Sequence, residues 1–375
     1  MDRAVERWRT DRQYDKAVIA PLAKKLCKSY TVYGCMLLLP HNALEGPEWT
    51  ALGDVREDAF QELHKLIAKE LKVTHIASNK PIPPQDLKTS SENILRAPIN
   101  FTPLYGDFGP ETCSQPPTEQ DFDKAFWVTA KQNGIYQVWA PRWTMFSRGN
   151  ISEKARLLAL PSVTEAVEDD DEFGVVDLYA GIGYFAFSYI KAGADKVYCW
   201  DINPWSIEGL LRGAKANKWK AVLYGGLDGS DENPSDIESI GGSDAKLLVF
   251  NESNELAPKR LNDLTSSRPR IRHVNLGMLP SSRKALELAA AFVCLRPRGW
   301  LHVHENFLVE EIQQKAKKTR EEFEQILVKS DNLYVLQMEE GQGVKVEVEH
   351  INRLKSYSPG VMHCVIDIAV EIRGQ

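Results

Sequence analysis

The sequence has no C-x-x-C pair, no apolar run near the ~20 residues of a membrane span, and no excess of basic charge. Its six cysteines, Cys27, Cys35, Cys113, Cys199, Cys294 and Cys364, are scattered, which argues against a zinc ribbon and against a disulfide framework and suits reduced thiols in a reducing compartment. Cys199 sits inside an apolar run and reads as a small buried residue. Net charge is 46 − 52 = −6, so the molecule as a whole does not attract nucleic acid, and such a partner requires a locally basic face. The first residues, Met1 to Trp8, are too charged for a signal peptide, and the expectation is a cytoplasmic protein with no membrane contact. What is present is ordinary for a globular chain. Apolar residues make up 43% and charged residues 26% of 375 positions, values that exclude a disordered, collagen-like or coiled-coil protein and leave room for two or three domains.

Apolar spacing divides the chain. In the first ~75 residues Val18, Leu22 and Leu26 recur at helical intervals, Met36 to Leu39 form a short buried run closed by Pro40, and Phe60, Leu63, Ile67 and Leu71 mark a second amphipathic helix. Pro81, Pro83, Pro84, Pro110, Pro116 and Pro117 bracket a polar region read as loops and linkers. Residues 1–124 are therefore expected to form a smaller N-terminal α/β region, and residues 125–375 a second domain. A strand runs from Gly134 to Trp139, and the acidic stretch Glu165 to Glu172 reads as a solvated loop. Strands are then expected at Val175–Tyr179, Val197–Asp201, Leu247–Phe250, His273–Leu276, Trp300–His304, Val344–His350 and Met362–Ile372. Helices lie between them at Tyr184–Ala192, Pro204 to about Asn217, Leu256–Leu264, through Leu286 to Leu295, and around Lys315–Val328. That alternation is the rhythm of a mainly parallel, Rossmann-like sheet covered on both faces. Gly225 to Ser243, within an insertion of about 225–245, holds few apolar residues and reads as a loop.

Asp177-Leu178-Tyr179-Ala180-Gly181-Ile182-Gly183 closes the first of these strands and opens a helix. Its glycines allow a sharp turn and close approach to a ligand, and the helix start offers unpaired amides. The next acid at a strand end is Asp201, and 201 − 183 = 18 places it one βα unit on, where a carboxylate meets ribose hydroxyls. Gly181-Ile182-Gly183-Tyr184-Phe185-Ala186 also satisfies the G-x-G-x-x-A dinucleotide pattern. Asp177, placed before the glycines, suits a positively charged amino-acid moiety and opposes a pyrophosphate, which disfavours a nicotinamide oxidoreductase.

Ser147-Arg148-Gly149-Asn150-Ile151-Ser152-Glu153-Lys154, the Asp177 loop and Asp201-Ile202-Asn203-Pro204 together resemble the tRNA position-37 branch of the S-adenosylmethionine-dependent transferases. Within it, Asn203-Pro204-Trp205-Ser206, Val274 to Ser282 and Leu301-His302-Val303-His304-Glu305-Asn306 resemble the tRNA wybutosine-synthesising aminocarboxypropyltransferases, over roughly residues 125 to 375. The sister family, the tRNA guanosine-37 N1-methyltransferases, carries Asn-Pro-Pro where this chain has Asn275-Leu276-Gly277.

The resemblance implies a class I S-adenosylmethionine fold. It also implies transfer of the 3-amino-3-carboxypropyl group of S-adenosylmethionine to C7 of 4-demethylwyosine at position 37, in the anticodon loop of phenylalanine tRNA, with methylthioadenosine released and no metal used. Alternatives are N1-methylation of guanosine 37 and a non-catalytic tRNA-binding protein of the same fold. The cofactor-binding residues implied are Ser147, Lys154, Asp177, Gly181, Gly183 and Asp201, with Glu252, Ser253 and Asn254 at the adenine end. Arg148 and Asn275 are expected to position the substrate. On residue type alone, Lys154 would be a solvated helix residue paired with Glu153 or Glu165, and Asn254 a helix N-cap. His302 and His304 share a strand face, and without a third ligand of clear spacing they read as polar residues near the pocket. Glu305 is a further pocket candidate. Arg268, Arg270, Arg272, Arg296, Arg298, Lys315, Lys317, Lys318 and Arg320 are candidates for an RNA-facing stripe, although such clusters are more often plain surface. Trp139 and Trp143 read as core residues, with base stacking the other reading.

Overall fold

The computed structural model describes residues 1–27, 30–52, 58–79, 93–98, 100–168, 172–224, 244–264 and 268–374. By Cα packing these form two units, Met1–Ala130 with Val138–Phe146, and Lys131–Gln137 with Ser147–Gln375. The chain passes back and forth around the hairpin of β5 (Val128–Gln132) and β6 (Ile135–Trp139), whose two-residue turn is Asn133-Gly134. Both turn residues have positive φ, 52° and 75°, which is what a tight hairpin of this hand requires.

The first unit is a four-stranded sheet in the order β1 (Thr31–Tyr33), β2 (Met36–Pro40), β3 (His75–Asn79), β4 (Phe101–Tyr105), with β2 and β3 parallel and the outer pairs antiparallel. Helix Asp58–Leu71 buries Phe60, Leu63 and Ile67 against Trp8 and Trp49, and the Trp8 indole donates to the Ala59 carbonyl at 2.7 Å. In helix Lys16–Cys27 the buried stripe is Ile19, Leu22 and Leu26, and Val18 faces solvent, one position off the expected register. β4 lies inside the stretch read from sequence as linker. Pro103 interrupts its pattern, and a register shift at Ile76/Ala77 accommodates it. Trp139 is buried and stacks on Phe146 with ring centroids 4.2 Å apart, a core role. Pro81, Pro83 and Pro84 lie outside the described residues.

The second unit is built on an eight-stranded sheet. Its strands are β7 (Phe173–Asp177), β8 (Lys196–Trp200), β9 (Ala221–Tyr224), β10 (Leu247–Phe250), β11 (Arg270–Leu276), β12 (Gly299–Leu308), β13 (Gly343–Ser358) and β14 (Val361–Arg373), in the spatial order β13-β14-β12-β11-β7-β8-β10-β9. The run from β12 to β9 is parallel, and β14 and β13 are antiparallel additions. β7, β8 and β10 are buried along their whole length, as strands covered on both faces must be. The chain leaves β7 toward β8 on one side and returns to β11 on the other. This topological switch point opens a crevice at the carboxyl ends of the strands.

Several boundaries differ from the sequence reading. Helix Pro161–Glu168 takes in Glu165, so part of the acidic stretch is helical, while Asp169 to Asp171 and the insertion at 225–243 fall outside the described residues. β9 was not expected, because four residues at a sheet edge carry too short a pattern. The helix expected to reach Leu295 stops at Ala290, and the chain turns so that the Cys294 amide bonds the Ile271 carbonyl. β13 is far longer than Val344–His350. Register shifts at Val348/His350, Arg353/Lys355 and Ser356/Ser358 break the alternation by which a strand is recognised.

Candidate cofactor and substrate site

The site grows out of the end of β7. Asp177 is its last residue and is completely buried, and Asn275, its register partner on β11, donates to Asp177 Oδ1 at 3.0 Å. The Tyr179 amide donates to the same oxygen at 3.3 Å, while Oδ2 has no partner at hydrogen-bond distance. Burial pushes the Asp177 pKa up to about 7 against these donors, with the Asp201 charge adding to the rise. A cationic group brought beside it would be strongly favoured. Gly181 and Gly183 follow with φ of 54° and 83°. A Cβ at Gly181 would stand 2.8 Å from the Tyr184 ring and one at Gly183 2.6 Å from Phe187, so the turn needs glycine for both conformation and space.

Asp201, just past β8, closes the loop from the other side. Its Oδ2 accepts from the Gly181 amide at 2.9 Å and its Oδ1 from the Asn203 amide at 2.8 Å, and burial raises its pKa to about 6. Asn203 caps helix Pro204–Ala216 by accepting from the Trp205 amide. Ile202, 40% exposed between these two residues, offers an apolar face beside the Asp201 carboxylate. It was missed from sequence, although an exposed apolar residue directly after a strand-end acid is a readable signal.

Lys154 corrects a sequence expectation. It is 3% exposed, not a solvated helix residue, and its ammonium donates to Gln137 Oε1 at 2.6 Å and Gln132 Oε1 at 3.0 Å and lies 5.0 Å from the Tyr184 ring centre. Burial, with the nearby Lys355 charge adding to it, lowers the Lys154 pKa to about 7. Its sequence neighbour Glu153 is held instead by Arg156, which also makes a two-bond pair with Asp367 on β14 at 2.6 and 3.0 Å. The Ser147 amide donates to the Tyr184 hydroxyl at 3.3 Å, and Arg148 is exposed. Gln132 and Gln137 were not singled out from sequence. For Gln137 the signal is a polar residue beside the buried Val138 and Trp139; Gln132, half-buried at the end of β5 after the exposed Lys131, carries none.

At the end of β10, the Glu252 carboxylate is taken up by Arg260, at 2.8 Å, and by the Trp200 indole. The helix cap there is Ser253, which accepts from the Glu255 amide, and not Asn254. Asn254 instead donates to the Leu178 carbonyl at 2.9 Å, tying this turn to the cofactor loop. Asn275 faces inward onto Asp177. The loop after it is pinned by Ser282, whose hydroxyl lies 2.5 to 3.0 Å from the carbonyls of Leu276, Met278 and His304, and by Glu305, which accepts from the Ser281 hydroxyl and the Ser282 amide.

His302 bonds Asp367 at 2.7 Å and His273 at 3.1 Å, and His304 bonds His363 at 3.0 Å. Burial pushes the His304 and His363 pKa values down to about 3, so both rings are neutral. Among the described residues no group of three or more His, Cys, Asp or Glu side chains is arranged to hold a metal ion. Several residues of the expected RNA-facing stripe are engaged within the chain. Arg298 pairs with Glu347, Glu349 and Glu371, Lys315 with Glu311, Lys317 with Glu321 and Arg320 with Glu324, and Arg272 packs on Trp300. Arg270, moreover, opens β11 and Arg298 precedes β12, so both lie at the amino-terminal edge, opposite the crevice. No helix among the described residues is long and apolar enough to cross a membrane.

A mainly parallel sheet, a glycine loop at its switch point and two strand-end acids define an S-adenosylmethionine-dependent transferase fold of the Rossmann-like class. Residues 129–235 match the model of the TRM5/TYW2 methyltransferase domain. The chain belongs to the tRNA wybutosine-synthesizing protein 2 family. It is 39% identical to the tRNA wybutosine-synthesizing protein 2 of Schizosaccharomyces pombe over 90% of this chain and 72% of that one, and 30% identical to that of Saccharomyces cerevisiae over 95% and 77%. Its fold is shared with Pyrococcus horikoshii TYW2 solved in complex with MeSAdo, at a TM-score of 0.59, 18% identity and 98% coverage of each chain.

Proposed function

We infer that the protein transfers the 3-amino-3-carboxypropyl group of S-adenosylmethionine to C7 of 4-demethylwyosine at position 37 of tRNA, releasing methylthioadenosine, and that its substrate is phenylalanine tRNA. The observation that carries this reading is the loop after β11. Where the methyl-transferring sister family has Asn-Pro-Pro, this chain turns Asn275 inward onto Asp177 and pins Gly277 to Ser281 through Ser282 and Glu305. Family membership and the fold shared with a MeSAdo-bound TYW2 support the same reading. A cytoplasmic location accords with it.

Bound in this crevice, S-adenosylmethionine supplies a sulfonium leaving group with three attackable carbons, and the carbon in line with the nucleophile at near-attack distance reacts. The residues present suit that ligand. Asp177, with its buried and unpaired Oδ2, would receive the ammonium of the amino-acid moiety, and Lys154 would receive its carboxylate. Asp201 would hold the ribose hydroxyls, Ile202 would lie against the adenine, and the Ser253-Asn254 turn would meet its edge. Glu252 is engaged by Arg260 and serves to hold that turn. Two charged anchors on the amino-acid moiety would leave the γ-carbon to be oriented toward the base, and Arg148, exposed at the start of the same element, would position the substrate. No side chain need act as nucleophile.

The test is mass spectrometry of a reaction containing the protein, S-adenosylmethionine and phenylalanine tRNA carrying the tricyclic intermediate. The expected products are methylthioadenosine and an aminocarboxypropyl mass gain on the base. S-adenosylhomocysteine with a methyl gain would move the protein to N1-methylation, and binding of both ligands without turnover would make it a non-catalytic binder.

A further inference from the structure

Beside the cofactor site, β13 lays a lysine across the glycine of the Ser147-Arg148-Gly149-Asn150 element. The turn Arg148–Asn150 packs on β13, and Asn352 of that strand donates to Glu153 Oε2 at 2.5 Å, which fixes the strand against the helix that follows the turn. Three residues on, Lys355 folds its stem over Gly149. A Cβ on that glycine would collide with the ammonium and stand 2.8 Å from Cδ and 3.0 Å from Cε. Lys355 is half-buried, and its ammonium makes no hydrogen bond or ion pair with any described residue.

Burial lowers the pKa of this ammonium, and it stands near a second buried lysine. Its charge lowers the pKa of Lys154 and contributes to the lowering at His304 and at His363, its register partner on β14. Arg353, two residues back on the strand, and Arg148, next to Gly149, are both exposed. A lysine partly withdrawn from water, close to a second buried lysine and left without a carboxylate, is a cost to the free protein that a bound oxyanion removes. Two oxyanions come within reach of such a site, the carboxylate of the cofactor's amino-acid moiety and a phosphodiester of the RNA. Position separates them. Lys154, 3% exposed, is the inner cation, whereas Lys355 is half-buried beside the exposed Arg353 and Arg148, a setting that suits a polynucleotide backbone better than a small carboxylate.

We propose that Lys355 binds a backbone phosphate flanking nucleotide 37 and, with Arg148 across Gly149, seats the RNA so that its base enters the crevice. The inference rests on the tRNA reading above. Lysine acts here as a point charge on phosphate, with both its stem and its ammonium lying over the glycine.

The test uses the full chain and Lys355→Gln, a change that removes an unpaired charge and should preserve folding, with Lys355→Arg as the conservative variant. Affinity for tRNA is measured by fluorescence anisotropy across a salt series, and affinity for S-adenosylmethionine by calorimetry. Lys355→Gln is expected to weaken tRNA binding roughly fivefold near 0.1 M salt and to make the log–log salt slope shallower by about 0.7. Cofactor affinity should stay unchanged, and Lys355→Arg should restore the slope. A loss of cofactor affinity with the tRNA salt slope intact would overturn the proposal and assign the ammonium to the cofactor carboxylate. An unchanged slope and unchanged cofactor affinity would overturn it as well. If the parent turns over tRNA and Lys355→Gln keeps the parental slope, only this inference fails; if the parent consumes no cofactor with tRNA, the functional reading itself fails.

Discussion

Replacing Lys154 by methionine is expected to stabilise the unliganded protein at pH 6 and to destabilise it at pH 9.5. Burial first, then Lys355, lowers the pKa of this lysine from 10.5 to about 7. Between these values the unfolded chain holds a proton that the folded chain has released, so the stability set by this group rises as the pH climbs through that window and is lost as it falls. Below about pH 7 the charged form is penalised by 10.5 − 7 = 3.5 units, a ceiling of ~5 kcal/mol at ~1.36 kcal/mol per unit. Methionine removes that penalty but leaves Gln132 Oε1 and Gln137 Oε1 without the donor they now have at 3.0 and 2.6 Å. Two such losses return ~3 kcal/mol, so the variant gains ~2 kcal/mol at pH 6. At pH 9.5 only about one unit of penalty, ~1.4 kcal/mol, is left to remove, and the variant falls ~1.5 kcal/mol below the parent. The assay is the difference in melting temperature between variant and parent at the two pH values, where background titrations cancel. A difference of the same sign at both would refute the reasoning. The same variant should lose affinity for S-adenosylmethionine while keeping that for methylthioadenosine, which has no carboxylate to pair.

Two further perturbations probe the surrounding frame. Asp201→Ala should weaken cofactor binding about tenfold or more and lower the melting temperature modestly, because the Gly181 and Asn203 amides lose their acceptor, ~3 kcal/mol for two such bonds, while removal of the buried carboxylate offsets part of that cost. Because burial raises the Asp201 pKa to about 6, the carboxylate is neutralised below that pH, and the parent's cofactor affinity should fall there in a limb absent from Asp201→Asn. An Asp201→Ala protein binding as tightly as the parent would remove this residue from the ribose site. Asp367→Ala strips the carboxylate shared by Arg156 and His302 and should cost ~3–5 kcal/mol, read as a lowered melting temperature. Unchanged melting would mean that the buried network does not anchor helix Ile151–Leu157 to β14.

The parallel sheet, the glycine loop and the two strand-end acids were legible in the chain because each is a local pattern. Val175 and Val176 run unbroken into Asp177, Gly181 and Gly183 sit where positive φ is required, and Asp201 follows one βα unit later. Such signals span tens of residues at most and arise from backbone geometry. Their boundaries were less legible wherever a bulge or an edge disturbed the period, as in β13 and β9. The character of the side chains was decided elsewhere. Lys154 looks like a surface residue of an E-K pair until β6 supplies Gln137 and Arg156 takes Glu153 to Asp367, 211 positions away. The basic residues before β11 and β12 look like an RNA stripe until β13 and β14 bring Glu347, Glu349 and Glu371 against Arg298. Lys355 is unremarkable until β13 docks on Gly149. Local order and backbone conformation are properties of neighbouring residues and can be read along the chain. Burial, charge pairing and the pKa values that follow depend on which distant segments pack together, and only the tertiary structure settles that.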